Sequence, residues 1–224
     1  MIKAAIFDMD GVLIDSEPLW QKTEVELFAE IGLTLTPDMQ VETKGLRTDE
    51  MISYWYTRHP WTHATPEDLV KEYDRRMIDI FKNDVELMEG AIEAIRFFRD
   101  QGLQIALASS STMELIDICI DRFDLRKYFS VIYSAENETY GKPHPGVYLE
   151  TASLLNCDPT MCVAIEDSFH GVIAAKAARM KVIALPEPKD LNDPRYAAAD
   201  QTISGLQKIN KAIFDKLSDG KKEH

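Results

Sequence analysis

Short apolar runs and amphipathic stretches alternate along most of the 224-residue chain. Residues 2–7 (Ile2-Lys3-Ala4-Ala5-Ile6-Phe7) make an apolar run of strand length, closed by Asp8-Met9-Asp10-Gly11. Runs at 104–108, 131–133, 162–165 and 182–185 repeat the pattern, the last stopped by Pro186 and Pro188, and Thr202-Ile203 reads as a further short strand. Helical patterns separate them at 90–101, 112–121, 145–156 and 168–179, with a terminal one at 204–217. Strands and helices alternating at this spacing pair in parallel through right-handed crossovers. The pattern therefore predicts an α/β fold with a doubly wound parallel sheet.

Residues 15–85 break that rhythm. The segment 19–31 has apolar residues near helical spacing and ends at Gly32, and Thr48 is placed to cap a helix over 50–58. Thr65-Pro66-Glu67-Asp68 reads as a helix start, with a capping threonine, proline in the first turn and two acids beside it, and that helix is expected to run to about Phe81. No strand pattern occurs here. The expected division is a core of 1–14 and 86–224, with 15–85 as a small all-helical domain over the carboxyl end of the first strand. The polar tail Ser218–His224 is expected to fray.

Composition narrows the function. Apolar residues make up 45% and charged residues 28%, ordinary for a globular chain. A net charge of −13 disfavours nucleic acid and anionic membranes as partners. No run reaches membrane-spanning length and no signal peptide is expected. Cys119, Cys157 and Cys162 lack zinc-like spacing and cannot pair evenly, so free thiols in a reducing cytoplasm are expected. His59 and His63 sit four apart, but Pro60 between them argues against a helical metal pair. The glycine-rich fingerprints of dinucleotide and nucleotide phosphate loops are missing.

Candidate chemistry sits at the strand ends, where open α/β sheets bind ligands. Asp8 and Asp10, two apart on an extended chain, share a face and need a compensating charge such as Mg2+. Ser109 and Ser110 precede a helix whose N–H groups suit a phosphate. Glu166 and Asp167 offer further oxygen ligands, and Lys142, held between Gly141 and Pro143, can balance the acids and hold a phosphate. Each has a plainer reading alone: a turn, a helix cap, a helix N-terminal acid, a solvated lysine.

Together, in this order, they resemble the haloacid dehalogenase (HAD) superfamily phosphatases with a helical cap, whose core is Rossmann-like. Asp8-Met9-Asp10-Gly11-Val12-Leu13 is similar to that superfamily's first motif, Ser109 to the second, Lys142-Pro143 to the third and Glu166-Asp167 to the fourth. Asp15–Trp20, Gly45-Leu46-Arg47, Trp55–Trp61 and Asn192–Arg195 resemble the bacterial hexitol phosphatases, also called 2-deoxyglucose-6-phosphate phosphatases. The resemblance implies Mg2+-dependent hydrolysis of sugar phosphates, with Asp8 as nucleophile and Asp10 as general acid and base. It implies Asp8, the backbone carbonyl of Asp10, Asp167 and Glu166 around the metal, and Ser109, Ser110 and Lys142 on the phosphate. Glu17, Trp20, Leu46 and Arg47 are expected near the sugar, with Ser16 and 83–89 as hinges. The implied partner is a small phosphosugar; a monomer is expected, because the cap must open and nothing in the sequence suggests an extended apolar face. The alternatives are a β-phosphoglucomutase, which in chains resembling this one carries a cap histidine where Trp20 stands, a phosphatase of another small ester such as phosphoglycolate, and a phosphosugar-binding regulator without activity.

Overall fold

The computed structural model describes residues 1–218. Its centre is one six-stranded parallel sheet: β1 (Ala4–Phe7), β2 (Gln104–Ser109), β3 (Val131–Ser134), β4 (Cys162–Glu166), β5 (Lys181–Ala184) and β6 (Gln201–Thr202). The strands lie in the order β3-β2-β1-β4-β5-β6. β1 is buried along its whole length, Ala5 and Phe7 packing on one face and Ala4 and Ile6 on the other. That two-sided burial is why the strand is continuously apolar and not alternating.

Helices α5 (Ala91–Asp100), α6 (Met113–Arg122), α7 (Gly146–Leu154), α8 (Phe169–Ala177) and α9 (Lys211–Ser218) accompany the sheet. α9 begins later than the pattern over 204–217 predicts. Leu206–Lys208 instead form a 3-10 turn that buries Leu206 and Ile209, and the Asn210 side chain caps the helix by accepting from Ile213 N at 3.1 Å. The part of the expected frayed tail after Ser218 lies outside the described residues.

Between β1 and α5 the chain forms helices α1 (Glu17–Glu30), α2 (Pro37–Thr43), α3 (Thr48–Arg58) and α4 (Pro66–Asn83). Thr65 caps α4, accepting from Asp68 N at 3.1 Å. α2 escaped the sequence reading although Thr36-Pro37-Asp38 carries the same start signal, and Thr36 accepts from Met39 N. Seven residues offer too little periodicity to register. Thr48 is the first residue of α3 and Arg47 precedes it at the cap position, a correction to the expected cap.

The two connections between this helical segment and the sheet run side by side. Ile14 bridges Leu87, Asp15 N donates to Glu86 O and Met88 N to Leu13 O, both at 2.9 Å. Among the described residues no helix is long and apolar enough to cross a membrane.

Candidate active site

The sheet register brings the candidate residues together. Phe7 aligns with Leu107 on β2 and with Ile165 on β4, so Asp8 emerges beside Glu166 at the point where the strand order reverses. Asp8 N donates to Ile165 O at 3.0 Å, prolonging the ladder by one bond. Carboxyl oxygens of Asp8, Glu166 and Asp167 all lie within 4.8 Å of one another, and all three residues are buried.

One buried cation answers this cluster directly. Lys142 is 1% exposed, is hydrogen-bonded to Glu166 and has its Nζ 3.1 Å from Asp8 Oδ1. Glu166 also accepts from the Tyr148 hydroxyl and from Ser168 Oγ at 3.2 Å. Its oxygens are therefore largely committed to holding Lys142 and the following turn. A second cation comes from the helical segment: Lys44 Nζ lies 2.7 Å from Asp167 Oδ2, 3.0 Å from Glu187 and 3.6 Å from Glu17.

Asp8 Oδ1 and Asp167 Oδ2 are buried and face the ammonium groups of Lys142 and Lys44, 3.1 and 2.7 Å away. Three buried carboxylates converging in an all-oxygen cluster fit a hard divalent cation. Burial pushes the Asp8 carboxyl well above the usual range, and the neighbouring Glu166 charge adds to it against the pull of Lys142. Burial likewise raises Asp167 to about 6 and Glu17 to about 8, in both cases against Lys44. For Lys142 burial works the other way, but Asp8 and Glu166 overcome it and hold the ammonium above its ordinary value.

Asp10 stands apart from the metal-like cluster. Its Oδ1 accepts from Ser16 Oγ and Trp20 Nε1, and its Oδ2 from Ser111 Oγ, all at 2.7 Å. Ser16 sits at the cap position of α1 but gives its hydroxyl to Asp10 instead of to the helix. Gly11 adopts φ +67°, and a Cβ there would come within 2.6 Å of Asp167 Cγ. Only glycine lets the chain turn so close to that carboxyl.

A cleft opens over these groups, lined from both segments. Asp8, Asp10, Asp167, Glu17, Trp20, Leu46 and Ser110 all line it, and Ser110 Oγ donates to Gly45 O at 2.9 Å. Ser109 is fully buried below, its hydroxyl accepting from Ser111 N at 3.0 Å. Trp20 packs its ring on Tyr73 and Phe81 while its N–H reaches Asp10.

Arg47 departs from the expected place beside the ligand and is absent from the cleft wall. Its guanidinium holds Asp49 through two bonds and donates to the carbonyls of Ala135 and Glu138. It joins the helical segment to the sheet side. Lys44, Ser111, Gln21, Glu24, Gln40 and Glu187 also line the cleft and were not among the predicted site residues. The three-serine run after β2 pointed at Ser111; nothing local marked Lys44, whose partners are 27, 123 and 143 positions away.

A family model described as haloacid dehalogenase-like hydrolase matches residues 5–185. The chain belongs to that family. It is 43% identical over 209 residues to hexitol phosphatase B of Escherichia coli, covering 93% of this chain and 94% of the relative. It is 30% identical to a phosphorylated carbohydrates phosphatase of Thermotoga maritima, covering 81% and 84%. Among solved structures, β-phosphoglucomutase from Clostridium difficile superposes with a TM-score of 0.83 at 22% identity, covering 97% of this chain and 98% of that one. At that identity the likeness speaks for the fold alone. The family and the phosphatase relatives make this chain an enzyme, a phosphoric monoester hydrolase.

Proposed function

We propose that the enzyme hydrolyses hexose and hexitol phosphates with Mg2+, through an aspartyl-phosphate on Asp8. The observation that carries the reading is the buried trio Asp8, Glu166 and Asp167, facing a cleft lined by polar residues of the helical segment. Similarity to a hexitol phosphatase supports the substrate class.

In this reading Asp8 attacks phosphorus in line, forming a phosphorus–oxygen bond as the bond to the sugar oxygen breaks. Asp10 gives its proton to the departing oxygen and later takes one from the water that hydrolyses the acyl phosphate. Ser16, Trp20 and Ser111 hold its carboxyl in place for both transfers. Lys142 and the Ser109–Ser110 turn receive the phosphoryl oxygens, Lys142 as a preset charge anchored by Glu166. Asp8, Asp167 and the Asp10 carbonyl would hold Mg2+, with Glu166 in support, and the ion would supply positive charge between the attacking carboxylate and the phosphate. Residues 15–85 act as a cap that excludes water, moving on the paired connections at 13–15 and 86–88, next to Ser16.

Phosphate release is measured on 2-deoxyglucose 6-phosphate, sorbitol 6-phosphate, mannitol 1-phosphate and phosphoglycolate, with β-glucose 1-phosphate assayed in parallel for isomerisation. Metal-dependent release from the hexose and hexitol esters, lost in Asp8→Asn, is expected. Isomerisation outrunning release would make the enzyme a mutase, and undiminished turnover by Asp8→Asn would remove Asp8 as nucleophile.

A further inference from the structure

α1 turns Glu17, Gln21 and Glu24 toward the cleft, four and then three residues apart, so they form one stripe of the helix. The start of that stripe is tied to the reacting end, because Ser16 and Trp20 both bond Asp10. Glu24 lies about 10 Å of helix rise beyond Glu17. It marks the far end of the wall.

Glu24 is held from two other helices. Its Oε1 lies 3.3 Å from the Tyr73 hydroxyl of α4, which shares its one hydrogen between Glu24 and Trp20 O, and its Oε2 takes Gln40 Nε2 of α2 at 3.0 Å. Gln40 gives its other amide hydrogen to the Gln21 carbonyl at 2.8 Å. Among the described residues no lysine, arginine or histidine pairs with Glu24, and burial pushes its carboxyl up to about 7. Glu24 is half-buried and faces the cleft with no countercharge beside it, and packing alone gives no reason for a carboxyl there. A carboxyl accepts about four hydrogen bonds, and only two are used here. The remaining acceptor capacity, with the free Gln40 carbonyl oxygen beside it, suits a ligand that brings hydroxyl donors.

We propose that Glu24, oriented by Gln40 and Tyr73, is a specificity-determining residue that accepts hydrogen bonds from the distal hydroxyls of a polyhydroxylated phosphate ester, so that the cap reads substrate length. The inference rests on the sugar-phosphatase reading and adds which residues recognise the end remote from phosphorus. A site with buried polar groups rejects ligands that leave them unpaired far more strongly than an apolar wall does.

The test is kcat/KM along a graded series: phosphoglycolate, glycerol 3-phosphate, erythritol 4-phosphate and sorbitol 6-phosphate. The parent enzyme is compared with Glu24→Leu, Glu24→Gln and Gln40→Leu, with thermal unfolding followed for each. The six-carbon to two-carbon ratio should fall about tenfold or more in Glu24→Leu, chiefly through KM, and less in Gln40→Leu. Glu24→Gln keeps an acceptor and should retain most of the preference. Should Glu24→Leu not fold, the ratio in Gln40→Leu alone decides, and a value within about twofold of the parent overturns the proposal.

An equal loss on every ester would make Glu24 structural and overturn the proposal, as would a ratio within about twofold of the parent in both Glu24→Leu and Gln40→Leu. If the parent itself shows no preference for the longer polyol esters, the sugar-phosphatase reading fails and takes the proposal with it. If the parent prefers them and the variants keep that preference, only the assignment of Glu24 fails.

Discussion

At the scale of single residues, the site is dominated by charges that burial makes expensive. Lys142 is fully enclosed between Asp8 and Glu166, over the ring of Tyr148. Lys142→Met preserves much of the stem but leaves two buried acids facing each other. Removing one partner of a buried pair costs about 3–5 kcal/mol, so urea unfolding at neutral pH should show a loss of that order alongside lost turnover. Glu24 works in the opposite sense. Its folded-state pKa of about 7 stands above the ordinary glutamate value of 4.5, so the folded chain binds more protons than the unfolded chain between those values. The stability contributed by the protonated form is complete below pH 4.5 and is lost as pH rises through 7. Glu24→Gln removes that loss. Its stability relative to the parent should rise by roughly 2–3 kcal/mol from pH 4.5 to pH 8, read from unfolding midpoints at each pH.

At the scale of elements, short backbone approaches decide whether these side chains meet. α8 starts directly after the Glu166-Asp167 turn, capped by Ser168, which accepts from Gly171 N at 3.0 Å. Gly171 faces Glu166, and a Cβ there would overlap its carboxyl group. Alanine has the better helix propensity, yet Gly171→Ala should lower both the unfolding midpoint and kcat, because Glu166 must move and Lys142 moves with it. A neutral or stabilised variant would show that the turn relaxes without cost. The sequence marked this element well, since an apolar strand ending in two acids before an alanine-rich helix is a local pattern. It marked α2 poorly, and it placed Arg47 in the cleft when its guanidinium is spent on Asp49 and two sheet-side carbonyls. Which face a cap residue shows depends on how its helix docks, and helical spacing carries no such information.

At the scale of the molecule, the cleft exists because the strand order reverses between β1 and β4, where the connections leave in opposite directions. Asp8 at the end of β1 and Asp167 after β4 share that opening, with Lys44 reaching across from the helical segment. A cation bound there stabilises the folded chain by mass action, about 2.7 kcal/mol at a hundredfold excess over its dissociation constant. Added Mg2+ should therefore raise the thermal midpoint, and Asp167→Asn should abolish most of the rise. An equal rise in that variant would place the ion elsewhere.

Local order was largely legible in the chain itself. The apolar strand of residues 4–7, the i and i+2 spacing of Asp8 and Asp10, the acids after Ile165 and the Thr65 cap each depend on neighbours a few positions away, where φ, ψ and hydrogen bonding are decided. Only the tertiary structure decided that Lys44 meets Asp167, Glu17 and Glu187, that Asp10 is held by Ser16, Trp20 and Ser111, and that Gln40 and Tyr73 converge on Glu24. Those meetings span up to 143 positions. They arise from helix docking over the carboxyl ends of the central strands, which buries area without regard to sequence distance, and so no local pattern encodes them.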